Sequence, residues 1–198
     1  YLRTDEGGPL EVMRGLARTA DADLIVLGAH RTDPDPLGLV GSTARRLINV
    51  APAPVLLVRD EPKRGYENVL IAYDDSEAAR EALRFAGELA PNAHHTIVTA
   101  CMIPFSARRQ AAELVHQFET DTRRMVNEAL KQQGETSRDV IVRAGEAFGV
   151  IMDAVADRKP DLLVMGTSMP AMYRQVFGGG MVDMIAADPP CDLLVVKT

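Results

Sequence analysis

Two stretches decide how the chain is read: ADLIVLGAH at residues 22–30 and PDLLVMGTS at residues 160–168. Each is an apolar run of strand length that stops at a glycine, and Gly28 and Gly166 lie 138 residues apart. The same offset pairs Gly7 with Gly145, Gly41 with Gly179, Pro52 with Pro190 and Val58 with Val196. It lays residues 1–60 onto 139–198 without a gap, and the identities gather on strand-end glycines and on the closing strands VLLV (55–58) and LLVV (193–196). Two unrelated α/β segments also share apolar strands, but the order of these coincidences favours an internal repeat.

The offset sets the expected organisation. Residues 67–198 read as a complete second repeat, 61–66 (EPKRGY) as a charged linker with a Pro and a Gly, and 1–60 as the C-terminal part of a first repeat. About 70 residues of that first copy are then expected ahead of Tyr1, and a first residue other than Met agrees with this.

Composition narrows the class. The 198 residues are 46% hydrophobic and 25% charged, as in ordinary globular proteins. No apolar run is long enough to span a bilayer, and no signal peptide opens the sequence. A net charge of −6 lacks the basic footprint of a nucleic-acid binder. Two cysteines, Cys101 and Cys191, are too few for a disulfide framework and fit a reducing, cytoplasmic setting.

Within 67–198, strand-length apolar runs alternate with helical patterns, which points to βαβ units and a parallel sheet. The expected strands are 68–75, 95–103, 140–145, 161–168 and 191–197. The expected helices are 76–89 with Ser76 as its cap, about 107–133, 147–157, and a short one opened by GGG (178–180) and ending at Ala187. Five strands and four helices make a doubly wound α/β domain, which takes ligands at the carboxyl ends of its strands.

With these elements placed, the sequence resembles the universal stress protein family in a tandem arrangement. The markers are IAYDDS (71–76), EGGPLEVM (6–13), APAPVLLV (51–58) and the Gly28–Gly41 and Gly166–Gly179 spacings. The family's phosphate signature is Gly, two residues, Gly, nine residues, Gly, then Ser or Thr. The first copy matches at Gly28, Gly41 and Ser42, followed by Thr43, but has Arg31 in the second glycine slot. The second matches at Gly166 and Gly179 but has Met169 in that slot and Gly180 where the hydroxyl belongs. A helix N-terminus opened by glycine offers backbone N–H donors at the positive end of a dipole, a natural seat for an anion. By resemblance, Asp74 lies against the nucleoside. The resemblance also implies a duplicated five-stranded sheet of order 3-2-1-4-5 with the first copy incomplete, an intramolecular pseudo-dimer paired antiparallel through the last strands, and a homodimer as a further assembly.

Other readings compete at single residues. Asp74–Asp75 after a strand also resembles the Mg²⁺-holding acidic pair of a response-regulator receiver, but RAG (143–145) lacks the phosphoacceptor Asp that fold needs. Asp33 and Asp35 read as a solvated turn or as holders of a cation, and Arg31 as a phosphate contact or an exposed side chain. His94 and His95 are neighbours on a strand and point to opposite faces, so no metal site is expected. Both cysteines and most methionines read as core.

The function expected from this is a non-catalytic stress-response protein binding ATP, AMP or a similar small ligand, with Mg²⁺ if the ligand is ATP. Its candidate residues are Gly28, Arg31, Gly41, Ser42, Thr43, Asp74, Gly166, Gly179 and Gly180. The alternatives are an adenine-nucleotide-hydrolysing enzyme of a related fold and a ligand-free interaction module. Neither nucleic acid nor membrane is expected as a partner.

Overall fold

The apolar runs form one sheet, because Leu57, Leu70, Ile71, Leu162, Leu163 and Leu193 are fully buried and need cover on both faces. The structure, a computed structural model, describes residues 4–28, 42–59, 65–102, 112–135, 138–168 and 180–198. Its elements are α1 (Pro9–Thr19), β1 (Ile25–Gly28), α2 (Ser42–Val50), β2 (Val55–Val58), β3 (Asn68–Ala72), α3 (Glu77–Leu89), β4 (His94–Cys101), α4 (Ala112–Gln132), β5 (Asp139–Ala144), α5 (Ala147–Arg158), β6 (Leu162–Thr167), α6 (Met181–Ala187) and β7 (Asp192–Lys197). The strand order is β1-β2-β7-β6-β3-β4-β5. One core layer holds α1, α2, α5 and α6 on one face of the sheet, and a second holds α3 and α4 on the other.

Residues 68–197 supply the expected five strands in the expected 3-2-1-4-5 order, read as β5-β4-β3-β6-β7. The first strand ends at Ala72 rather than Asp75, since Asp75 turns left-handed at φ +60° and its neighbours form the entry to α3. Ser76 caps that helix as expected, its Oγ accepting from the Ala79 N–H at 3.1 Å. The first segment contributes β1 and β2 to a single seven-stranded sheet, and a strand ahead of α1 is not formed in residues 4–8. Among the described residues no neighbouring strand lies there to share a hydrogen-bond ladder.

All strand pairs are parallel except β2 with β7. There Val55 faces Val195, Leu56 faces Leu194 and Leu57 faces Leu193. Under the 138-residue offset Leu56 is opposite its own counterpart, so the register is symmetric about that pair. Side chains clamp the seam from both directions. Asp192 Oδ1 accepts the Arg59 N–H at 2.7 Å, and Arg59 Nη1 donates to the Pro189 carbonyl at 2.6 Å. Lys197, the counterpart of Arg59, reaches the other way to the Asn49 carbonyl at 3.0 Å. Tyr66 adds a hydroxyl bond to Asp192 Oδ2 at 2.7 Å. The offset recurs in local geometry: Gly7 and Gly145 both adopt positive φ, and a Cβ on either would lie 3.2 Å from Cγ2 of Val12 or Val150, themselves offset counterparts.

Leu57→Ala removes a fully buried side chain at the seam and should cost about 2–5 kcal/mol. Urea unfolding followed by circular dichroism should show one transition at a lower midpoint. An unmoved main transition would mean that β1–β2 unfolds by itself. A second test uses pH. Burial, and then the hydrogen bond and charge of Asp192, raise the Tyr66 hydroxyl well above its usual 10.0. The folded state therefore holds that proton more tightly than the unfolded chain, and the contribution is complete below pH 10 and lost as pH rises beyond it. Tyr66→Phe should be less stable than the parent at pH 8, with the difference shrinking above pH 10; a gap independent of pH would count against this.

Candidate functional site

Parallel β3 and β6 finish side by side, with Ala72 opposite Met165, so the turn 73–76 stands beside Gly166 and Thr167 at the carboxyl end of the sheet. The two aspartates of that turn part company. Asp75 Oδ1 accepts the Tyr73 hydroxyl at 2.8 Å and Arg80 Nε at 3.0 Å, and the Arg80 bond above all holds its carboxyl below the usual carboxylate range. Gln133 Nε2 donates in turn to the Tyr73 hydroxyl at 2.7 Å. Asp75 is thus engaged toward α3 and α4. Asp74 stays exposed on the turn, its Oδ1 accepting the Ser76 N–H at 3.1 Å. Among the described residues, no three His, Cys, Asp or Glu side chains gather as a metal site.

Gly166 has a steric reason that the sequence did not show. A Cβ there would lie 2.3 Å from the carbonyl carbon and oxygen of Ala78 and 2.6 Å from the Ala79 nitrogen. The backbone of the first turn of α3 approaches it closely. Gly180 does open a helix, but its N–H already donates to Asp183 Oδ2 at 3.1 Å. Asp183 is buried, and its Oδ1 accepts Asn49 Nδ2 from α2 at 2.9 Å.

The corresponding helix start in the first segment has the opposite charge. The offset puts Arg45 where α6 has Asp183. Among the described residues, Arg45 Nε is buried without a hydrogen-bond partner, as is Nε of Arg14 on α1, which packs against α2. Ser42 and Thr43 begin α2, with Thr43 half-buried. Gly28 ends β1 as expected. Arg31, Gly41, Gly179, Met169, Asp33 and Asp35 and the Ser42 side chain lie outside the described residues. Motif matching missed Arg14, Arg45, Asn49 and Asp183. The offset that pairs Arg45 with Asp183 was the signal that could have found two of them.

The remaining titratable candidates serve packing. His95 is buried with Nε2 2.9 Å from the Ala90 carbonyl and its other ring nitrogen against the Arg138 guanidinium, while His94 is exposed on the opposite face. Burial pushes the Cys191 thiol up to about 12, and Cys101 Sγ accepts from the Thr122 hydroxyl at 3.2 Å.

Residues 1–59 and 65–197 match the universal stress protein family. The chain belongs to that family. A universal stress protein of Mycobacterium bovis is 25% identical over 98% of this chain and 69% of its own length. One from Thermus aquaticus is 24% identical over 67% of this chain and 99% of its own length. A structure described as that of a putative universal stress protein from Pseudomonas aeruginosa superposes with a TM-score of 0.72 at 15% identity, covering 97% of this chain and 69% of its own. That likeness shows the α/β fold of the universal stress proteins.

Gly166→Ala drives a methyl group into helix backbone and should destabilise the ligand-free protein by about 3 kcal/mol or more. Gly149→Ala, in an open position on α5, should instead stabilise it by roughly 0.5–1 kcal/mol. Thermal unfolding without nucleotide checks both. A Gly166→Ala protein of unchanged stability would return that glycine to the ligand.

Proposed function

We propose that this universal stress protein is a non-catalytic binder of an adenine nucleotide or similar small anionic ligand, and that the phosphate end sits at the start of α2. The observation that carries this is the charge reversal between the two helix starts. Arg45 holds a buried Nε with no acceptor, an arrangement costly to leave unmet and satisfied by an anion. Asp183 supplies its own carboxylate to the Gly180 N–H, so α6 begins with that donor already used. The residues present thus fit a phosphate better in the first segment. Ser42 and Thr43 add hydroxyl-bearing side chains to the α2 terminus, and the dipole of that helix favours negative charge there. Mg²⁺ would accompany ATP through its phosphates. Asp74 marks the second strand end, where the chemistry suits a nucleoside or an uncharged ligand.

Isothermal titration with ATP, with and without Mg²⁺, and with AMP tests the assignment. Loss of one charge-assisted hydrogen bond is worth roughly 1.5–3 kcal/mol, about ten- to a hundredfold in affinity. Arg45→Met, and Ser42→Ala combined with Thr43→Ala, should each weaken ATP by that factor, and Asp74→Ala by less. Unchanged affinity in the first two with a large loss in the third would move the phosphate to the second segment.

A further inference from the structure

Among the described residues, four arginines make neither a hydrogen bond nor an ion pair through their guanidinium groups. All four lie on α1 and α2: Arg14, Arg18, Arg45 and Arg46. Every other described arginine, from Arg59 to Arg158, reaches an acid or a carbonyl. α3 shows the usual arrangement, with Arg84 held between Glu81 and Glu88, one turn to either side. α1 does the reverse, because Arg14 and Arg18 are like charges at i, i+4, a spacing that is destabilising by itself.

The four belong to neighbouring helices, since α1 packs beside α2 on one face of the sheet. Arg18 and Arg46 are exposed. Arg14 and Arg45 are half-buried, each with an Nε that water does not reach and no acceptor meets. With Glu11 included, the two helices carry a net charge of +3. The chain as a whole is −6, which leaves −9 once that +3 is set aside. The 138-residue offset puts Met152, Ala156, Asp183 and Met184 at the matching positions, and α5 and α6 together carry −2. The positive face therefore belongs to the first segment and not to the repeat.

We propose that the α1–α2 face is an interaction surface for a short acidic segment of a partner protein, whose Asp and Glu carboxylates engage Arg14, Arg18, Arg45 and Arg46. The planar guanidinium fork matches a carboxylate with two parallel hydrogen bonds, and the partner's charge relieves the repulsion among the four. The −9 elsewhere sets the length of the partner. A nucleic acid or an anionic membrane extends past the patch and meets like charge, whereas a short segment touches the patch alone. Neither helix carries an aromatic side chain on which a base could stack. The surface does not depend on nucleotide binding, since Arg14, Arg18 and Arg46 lie outside the residues assigned to the phosphate.

Fluorescence anisotropy of a labelled oligoglutamate peptide, titrated with the 198-residue chain, tests this. Binding should weaken as salt is added, and Arg18→Glu combined with Arg46→Glu should weaken it roughly tenfold or more. Arg124→Glu combined with Arg158→Glu makes the same change in net charge at two exposed arginines on other helices. That variant should keep its peptide affinity within about twofold, because charges farther than a Debye length are screened. Absence of peptide binding, or an equal loss in the two variants, would overturn the proposal. So would tighter binding of single-stranded DNA or phosphatidylserine vesicles than of the peptide, or self-association in sedimentation that Arg18→Glu with Arg46→Glu abolishes.

Discussion

The antiparallel seam between β2 and β7 is the constraint on which the molecule depends. VLLV and LLVV are too apolar to stand as exposed edges, and each hides the other. Once Leu56 faces Leu194, the rest of the geometry is largely fixed. The first segment must join the sheet on the β7 side, α1 and α2 fall into the same layer as α5 and α6, and Asn49 arrives within reach of Asp183. Hydrogen bonds from Arg59, Lys197 and Tyr66 then pin the register at its ends.

The seam brings together two helix starts that have solved one electrostatic problem in different ways. Each begins with backbone N–H groups lacking helical partners. In α6 a side chain of the same helix supplies the anion, supported from across the seam by Asn49. In α2 the matching residue is a cation with a buried, unanswered donor. One helix start is closed by its own carboxylate and the other carries a cation, so the two differ in charge despite their common fold.

Much of this was legible in the sequence. Strand-length apolar runs and the Ser76 cap placed the strands and helices of the second segment, because burial on both faces and helix capping are local or periodic signals. Its strand order and the seam followed from the family resemblance. The site was less legible. Gly166 reads as a ligand glycine, and the structure adds a steric constraint from Ala78, a residue brought to it by the crossover of the chain. The roles of Asp74 and Asp75 could not be separated without Arg80 and Tyr73 in place. Arg45 and Asp183 escaped because a phosphate motif specifies the residues that touch the anion and is silent about the charges three positions along.

Because the seam lies within one polypeptide, its two sides stay at a fixed effective concentration and do not separate on dilution. It is also free of a restriction that binds symmetric dimers. There, every substitution at the interface appears twice, on both partners at once. Here Asn49 can meet Asp183 while their counterparts, Ala187 and Arg45, follow other chemistry. A covalently joined pair can keep the symmetry of its backbone and abandon the symmetry of its charges, so each half is free to change without the other.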